Sequence, residues 1–412
     1  MKRLDIFFIN KQGDTTISTN MIKIHIKKNN YELMNEINKI DNFIKMHDMI
    51  KRINIIFDKS IEQNNINSII SKLHNILYPN YKKIKEIKLY KVENETNFLM
   101  KCLDNYKDII MHPNKTPDNY LKWILSNIPK NYVSKVKKTS TTFFPLTHAV
   151  SVGSETSAYF VHIYPKNINP KNKNVYLIGK AVTYDSGGLN IKNESMCEMK
   201  TDMTGSAILI AVLKLLPSNI NHNIHILIPI VENMIGPNSI KPGSVITSMS
   251  GITVEIENID AEGRLCMADC LDYIKLKLIN MKKENDLIID VATLTGATVR
   301  ITDGVATVAM CNMEGDKYLK KMIEIGEICG EYVESLKLRN EYMDILSSNV
   351  ADIKNCNNIN LNAGAIQGGQ FLNYFVDENI PWIHLDIAGC TYKNLMANSY
   401  GINLLYDFIT TL

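Results

Sequence analysis

Asp260 and Glu262 stand two residues apart in Asn258-Ile-Asp-Ala-Glu-Gly-Arg-Leu265, with Arg264 directly behind them. A second acidic cluster lies upstream: Lys180, Asp185-Ser-Gly-Gly188, Lys192 and Asp202. Carboxylates are hard oxygen donors, and two neighbouring divalent cations need about four of them, at least one bridging. Such a pair of ions acidifies a bridging water, so that hydroxide is available near neutral pH, and it polarises a carbonyl oxygen. A lysine beside metals has two possible uses. Deprotonated, it is a nitrogen ligand; protonated, it is an electrophile aimed at a developing oxyanion. Lys180 and Lys192 can divide those roles. Arg264 stays charged, and its planar fork suits a small bidentate anion such as bicarbonate or a carboxylate. Each acidic segment alone has a plainer reading. Asp-Ser-Gly-Gly is an ordinary turn, and Asp-Ala-Glu-Gly is a helix start with first-turn acids. Their combination, each at a strand-to-helix junction, favours the metal site.

The elements that must position these residues follow from the apolar pattern. Tyr159–Tyr164, Asn174–Ile178, Ile224–Val231, Leu287–Val291 and Trp382–Ile387 are short apolar runs bounded by Gly, Pro or Asn, and read as buried strands. Helical patterns alternate with them at Thr204–Leu216, Glu262–Leu278, Asp316–Leu336 and Ala365–Phe375. The alternation predicts an α/β fold with a central sheet flanked by helices. Lys180 and Asp185 then follow a strand, Asp202 precedes a helix, and Asp260 and Glu262 begin one. Strand ends and helix starts are where such sheets place their sites. Residues 1 to 105 form a small N-terminal α/β domain, with strands at Met21–Ile26 and Ile53–Phe57 and helices at Tyr31–Met46 and Ile61–Leu77. Residues 106–138 read as a connector, in which Thr116 caps a helix over Asp118–Asn127 with Pro117 at its first position. Residues 139–412 form the larger C-terminal domain.

Bulk properties narrow the function. The 412 residues and 45% apolar content allow a sizeable core. With 46 basic and 43 acidic residues, the net charge of +3 does not support nucleic acid as a partner. No run of about eighteen apolar residues predicts a membrane helix, and Asp5 breaks an N-terminal apolar run too short for a signal peptide. A cytoplasmic protein is expected. The eight cysteines include no CxxC pair, which fits reduced thiols; Cys266 and Cys270 share a helical spacing and read as a buried face. His222, His225 and His384 read as packed or surface histidines rather than ligands. Gly187-Gly188 and Gly368-Gly369 lack a phosphate-binding frame, and no GxSxG or catalytic-cysteine pattern occurs.

Asn258–Leu265 is one residue from the NTDAEGRL signature of the leucine aminopeptidase (cytosol aminopeptidase) family, and the chain resembles that family well beyond it. Gly179-Lys-Ala-Val-Thr-Tyr-Asp-Ser-Gly-Gly188, Glu198-Met-Lys-Thr-Asp-Met203, Ala292-Thr-Leu-Thr-Gly-Ala297, Gly364-Ala-Ile366 and Trp382–Gly389 are similar to further family blocks, in order. The resemblance covers residues 110–412 and implies a dizinc-type metallo-aminopeptidase, a hydrolase that removes an N-terminal residue, leucine or another apolar one by preference. It implies two divalent metal ions per subunit, Zn2+ or Mn2+ with Mg2+ a further candidate at one site. Their ligands would be Lys180, Asp185, Asp202, Asp260 and Glu262, with Asp185 and Glu262 bridging. Lys192 matches the catalytic lysine, and Arg264 the arginine that holds bicarbonate as a proton shuttle. Met199, Thr293 and Gly296 match positions lining the pocket for the first side chain, and Leu294 one whose backbone meets the substrate. Peptide substrates and a homohexamer are implied as partners. A narrow dipeptidase of the Cys-Gly type, or a non-catalytic scaffold or DNA-binding relative, are the alternatives. Ile259 replaces the signature's threonine, the Lys192–Asp202 spacing is one residue shorter than in many members, and the N-terminal part is shorter and unlike the family's.

Overall fold

The computed structural model describes residues 3–9, 16–18, 21–25, 37, 39–40, 42–44, 50, 52–57, 69–75, 86–90, 94–278, 286–357, 362–393 and 396–412. The chain forms two compact units, one of residues 1–107 with 327–330 and one of 108–326 with 331–412.

The first unit holds a five-stranded sheet of β1 (Arg3–Ile9), β2 (Thr16–Ser18), β3 (Met21–His25), β4 (Arg52–Phe57) and β5 (Glu86–Tyr90), in the order β2-β3-β1-β4-β5. β1 runs parallel to β3 and β4, and β4 to β5, while β2 is antiparallel to β3. Ile6, Ile22, Ile24, Ile53, Ile55 and Phe57 bury one another's apolar surface. The expected helices at Tyr31–Met46 and Ile61–Leu77 fall largely outside the described residues; within them, 37, 39–40, 42–44 and 69–75 are helical. Helix α1 (Asn94–Met111) leads out of this unit.

The second unit opens with α2 (Pro117–Ser126), whose start follows its sequence: Thr116 caps it, a reciprocal bond from Asn119 completes the cap, and Pro117 fills the first turn. A nine-stranded mixed sheet follows. Its central path runs from β14 (Thr307–Cys311) through β17 (Trp382–Asp386), β13 (Leu287–Ala292), β8 (Lys173–Gly179) and β10 (His222–Asn233) to β7 (Tyr159–Pro165). Its edges are β15 (Val333–Ser335) and β6 (Tyr132–Lys138). β17, β13, β8 and β10 are parallel; β7 and β14 join antiparallel. The parallel strands are buried on both faces, which explains their continuous apolar runs. Alternate side chains such as Tyr176, Ile178, Leu227, Val231 and Ile288 pack with Leu265, Cys266 and Leu271 of α5 (Glu262–Tyr273). The intervening residues meet α4 (Thr204–Leu215).

Two sequence expectations needed correction. The Asp316–Leu336 helix ends early: α7 spans Asp316–Cys329, Gly330 takes a left-handed φ of 71°, and β15 begins at Val333. A further strand, β9 (Ala181–Asp185), pairs with the far end of β10 across a bulge at Val231/Asn233. Asp185 is therefore the last residue of a strand rather than part of a loop. His384 lies fully buried in β17, stacked on Trp382 and bonded through Nδ1 to Asp290. His225 is buried beside His162, with ring nitrogens 3.0 Å apart. Both agree with the packed reading. The cysteines are free thiols.

Candidate metal centre

Four segments converge at the C-terminal ends of β8, β9, β10 and β13. Lys180 occupies the one-residue step between β8 and β9, its N–H donating to Val291 O at 3.0 Å and its carbonyl accepting from Ser206 N at 3.0 Å. The start of α4 can lie this close only because Gly205 within it and Gly179 facing it carry no Cβ. A Cβ on Gly205 would stand 2.1 Å from Val291 O, and one on Gly179 2.5 Å from Ser206 Cα. Asp202 is thereby held at the N-terminus of α4, after a 3-10 turn over Met196–Thr201. A short 3-10 turn, Ile259–Ala261, presents Asp260 and delivers Glu262 as the first residue of α5.

The lysine and carboxylate side chains of these segments lie in one cluster. Lys180 Nζ lies 2.8 Å from Asp202 Oδ1 and 2.9 Å from Glu262 Oε1, and donates to Thr293 O at 2.8 Å. Lys192 Nζ lies 2.7 Å from Asp185 Oδ2 and also pairs with Asp260 Oδ1. One carboxylate oxygen from each of Asp185, Asp260 and Glu262 falls within 4.8 Å of the others. Lys180, Asp185, Asp202, Glu262 and Arg264 are all at most 5% exposed. Asp202 Oδ2 and Glu262 Oε2 are buried without a hydrogen-bond partner. Buried carboxylate oxygens left without donors are expensive, and oxygen ligands directed at a divalent cation account for them. The donor set therefore fits hard or borderline divalent ions.

The electrostatics reflect this crowding. Burial raises Asp185 well above the usual carboxylate range, and the neighbouring Glu262 and Asp202 raise it further. Burial likewise pushes Asp202 up to about 7 despite Lys180. Glu262 is also opposed by burial, yet Lys180 and Lys192 bring it below its ordinary value. For both lysines burial works against the charge, but the surrounding carboxylates win and raise each of them.

Lys192 reaches the site through a compact loop. Its N–H donates to Ser186 O at 3.0 Å, and Gly187 and Gly188 take positive φ of 84° and 59° to make the turn. Ile259 N donates to Asn190 Oδ1 at 2.9 Å, tying this loop to the signature turn. The Ile259 side chain is buried in the main core, directly over Gly188, where a Cβ would stand 2.7 Å from Ile259 Cγ2. The residue that departs from the family signature thus packs and presents no ligand. Arg264 is buried in α5, its Nη1 donating to Asn355 O at 2.8 Å and its Nε without a hydrogen-bond partner.

The remaining candidates lie around this centre. Thr293 Oγ1 donates to Asp202 Oδ1 at 2.7 Å, so its hydroxyl is committed to a carboxylate of the site. Leu294 N donates to Asp386 Oδ1 at 3.0 Å. Gly296 is exposed, and Met199 is half-buried in the 3-10 turn before Asp202. Three further residues went unread in the sequence. Asn233 at the end of β10 donates to Asp185 Oδ1 at 2.7 Å and to Ile259 O at 3.2 Å. Asn355 accepts from Glu257 N at 2.8 Å and donates to Asn258 O at 2.6 Å, bracing the signature turn. Asp386 holds both Leu294 and Thr295, the latter at 2.7 Å. Asp386 sits within Trp382–Gly389, a segment similar to a family block, and Asn233 lies just past the apolar run Ile224–Val231; nothing marked Asn355.

The sequence model for the cytosol aminopeptidase family, catalytic domain, matches residues 101–406. A probable cytosol aminopeptidase of Chlorobaculum tepidum is 40% identical over 270 residues, covering 63% of this chain and 52% of that protein. One of Clostridium tetani is 42% identical over 248 residues, covering 59% and 49%. The matched part of the chain spans about half the length of these curated relatives. Among solved structures, Caenorhabditis elegans leucine aminopeptidase aligns with a TM-score of 0.81 at 23% identity, over 95% of this chain and 84% of that one. The bottromycin maturation enzyme BotP in complex with Mn aligns with a TM-score of 0.81 at 21% identity, over 100% and 99%.

Proposed function

We infer from one fact, that the chain belongs to the cytosol aminopeptidase family, together with the geometry of its carboxylates, that it is a metal-dependent aminopeptidase. The observation that carries this reading is the convergence of Asp185, Asp260 and Glu262 within 4.8 Å, beside two buried carboxylate oxygens that lack donors. Lys180, Asp185, Asp202, Asp260 and Glu262 would hold two divalent ions. Such ions, Zn2+ or Mn2+ with Mg2+ a further candidate at one site, would acidify a water for attack near neutral pH and polarise the peptide carbonyl. A structural relative was solved with Mn, which supports trying that ion first.

The chain's own groups have separable parts. Lys192, partly exposed and held protonated by its carboxylate neighbours, points its ammonium at the oxygen that gains charge as the carbonyl is attacked. Arg264 presents a buried guanidinium with an Nε that has no hydrogen-bond partner; it would hold a small bidentate anion such as bicarbonate, which would supply a proton-relaying base beside the site. Leu294 offers its carbonyl to the substrate backbone. Met199, Thr293 and Gly296 line the space for the first side chain, which favours leucine or another apolar residue. We assign catalysis to residues 139–412, the connector to 106–138 and the separate N-terminal domain to 1–105. Peptide substrates, a cytoplasmic location and a homohexameric assembly complete the reading. Metal-stripped protein reloaded with Mn2+ or Zn2+ should hydrolyse leucine-linked chromogenic substrates and leucyl dipeptides alike. Loaded protein that leaves both untouched refutes it, and cleavage of dipeptides alone replaces it with the dipeptidase.

A further inference from the structure

Between α6 (Ala297–Thr302) and the start of α8 (Gly364–Phe375) lies a cavity of about 410 Å3. Its walls are small or apolar: Ala297, Ile301, Leu336 and the 362–366 segment, with Asn362 the one neutral polar residue. Arg300, an exposed residue, is the single charged residue on them. Its guanidinium makes no ion pair or hydrogen bond with any described residue. The sequence supplies only five arginines among its 46 basic residues, and one of the other four is Arg264 in the metal centre. A lone cation could be a lysine; a planar fork against apolar walls selects a planar, bidentate acceptor. The first turn of α8 forms another wall, and its field has the sign that favours an anion.

A short loop connects the cavity to the candidate metal centre. Thr293, whose carbonyl accepts from Lys180 Nζ, begins the same loop that reaches the cavity at Ala297. On the opposite side, a Cβ on Gly368 would lie 3.5 Å from Arg264 Nη2, and one on Gly364 3.3 Å from Ala297 Cβ. Gly364 and Gly368 are one helical turn apart, about 6 Å. The mouth of the cavity thus lies roughly 10 Å from the tip of Arg264, a distance that about three extended residues cover.

We propose that this cavity receives a substrate carboxylate through Arg300, and that the carboxylate is the C-terminus of a short peptide, which makes di- to tetrapeptides the favoured substrates. The proposal rests on the aminopeptidase reading for its placement of the substrate. Two measurements on the Mn2+-loaded full chain test it. The ratio of kcat/KM for leucyl-alanyl-alanine over its C-terminal amide should be about tenfold or more, should fall to near one in R300Q, and should be partly kept in R300K. In calorimetry, acetyl-alanyl-alanine should bind at least about tenfold more tightly than its amide, again only with Arg300 present. This probe has no free amine and needs no turnover. Equal binding of acid and amide, or a preference that survives R300Q, overturns the proposal. Acetyl-glutamate diamide, blocked at its C-terminus and side chain, serves as the blank. If acetyl-glutamate α-amide, with only its side-chain carboxylate free, binds as well as the terminal acid and loses that affinity in R300Q, the terminal source is overturned in favour of an acidic side chain. Hydrolysis of leucyl anilide by the wild type reports the aminopeptidase reading separately. Its absence alongside an Arg300-dependent binding preference would fail that reading and not the cavity.

Discussion

Asn233 shows how the site depends on residues that touch no substrate. Its amide fixes one oxygen of Asp185 and also the backbone of Ile259, so it sets both halves of the metal centre. Groups that orient metal ligands typically influence affinity by 10–100-fold. N233A should therefore weaken metal binding by about that factor, measured by competition with a chromogenic chelator; unchanged affinity would show that Asp185 orients itself. Asp269 makes a different test. It is fully buried in α5, its Oδ2 accepting from the N–H of Thr147 at 2.7 Å and the hydroxyl at 2.8 Å, and burial pushes it up to about 8. The folded state keeps a proton that the unfolded chain releases near pH 4. This group's contribution to stability is full below about pH 4 and is lost as pH rises towards 8. The stability difference between wild type and D269N, from urea unfolding, should drift against wild type over that range; a pH-independent difference contradicts the assignment. The charged residues of the centre drew attention in the sequence because two acidic segments, each ordinary alone, both fall at strand-to-helix junctions. Asn233, Asn355 and Asp386 were not, because a single amide or acid gains its role only from a partner that folding brings near.

At the scale of elements, close approaches decide where the ligands stand. A Cβ on Gly263 would meet Lys180 Cε at 2.4 Å and Nζ at 2.8 Å, whereas one on Gly205 would meet the backbone oxygen of Val291 at 2.1 Å. The two positions should fail differently. G205A forces α4 away from the sheet and should lower stability by about 1–3 kcal/mol, read in chemical denaturation. G263A displaces a side chain rather than a strand, so metal affinity should fall more than stability does. Equal losses in both variants would show that Lys180 is not held by that contact. The long elements α4, α5, β10 and β13 were readable from apolar periodicity and run length. β9 was not: its five residues follow β8 after one residue, and its own pairing with β10, interrupted by the bulge at Val231/Asn233, is what marks it. The Asp316–Leu336 pattern misled because apolar spacing continues through Gly330, where the backbone turns left-handed and the helix stops.

At the scale of the whole molecule, alternation of strands and helices indicated an α/β sheet covered on both faces, and the parallel centre β17-β13-β8-β10 has that form. Strand order and the antiparallel flanks were not legible, since they depend on which apolar faces meet and not on any one segment's pattern. The same sheet explains why residues 180 to 262 can build one centre: parallel strands deliver their C-terminal ends to one edge, and the helices that follow start there. The central claim is that this edge performs metal-dependent removal of N-terminal residues. Its most direct test is a mass-spectrometric time course on a heptapeptide beginning with leucine, using metal-stripped and Mn2+-loaded protein, with an N-acetylated copy of the peptide alongside. The account predicts stepwise loss from the free N-terminus only with metal, and no change in the acetylated copy. Internal cleavage, release from the C-terminus, or equal hydrolysis without metal would contradict it.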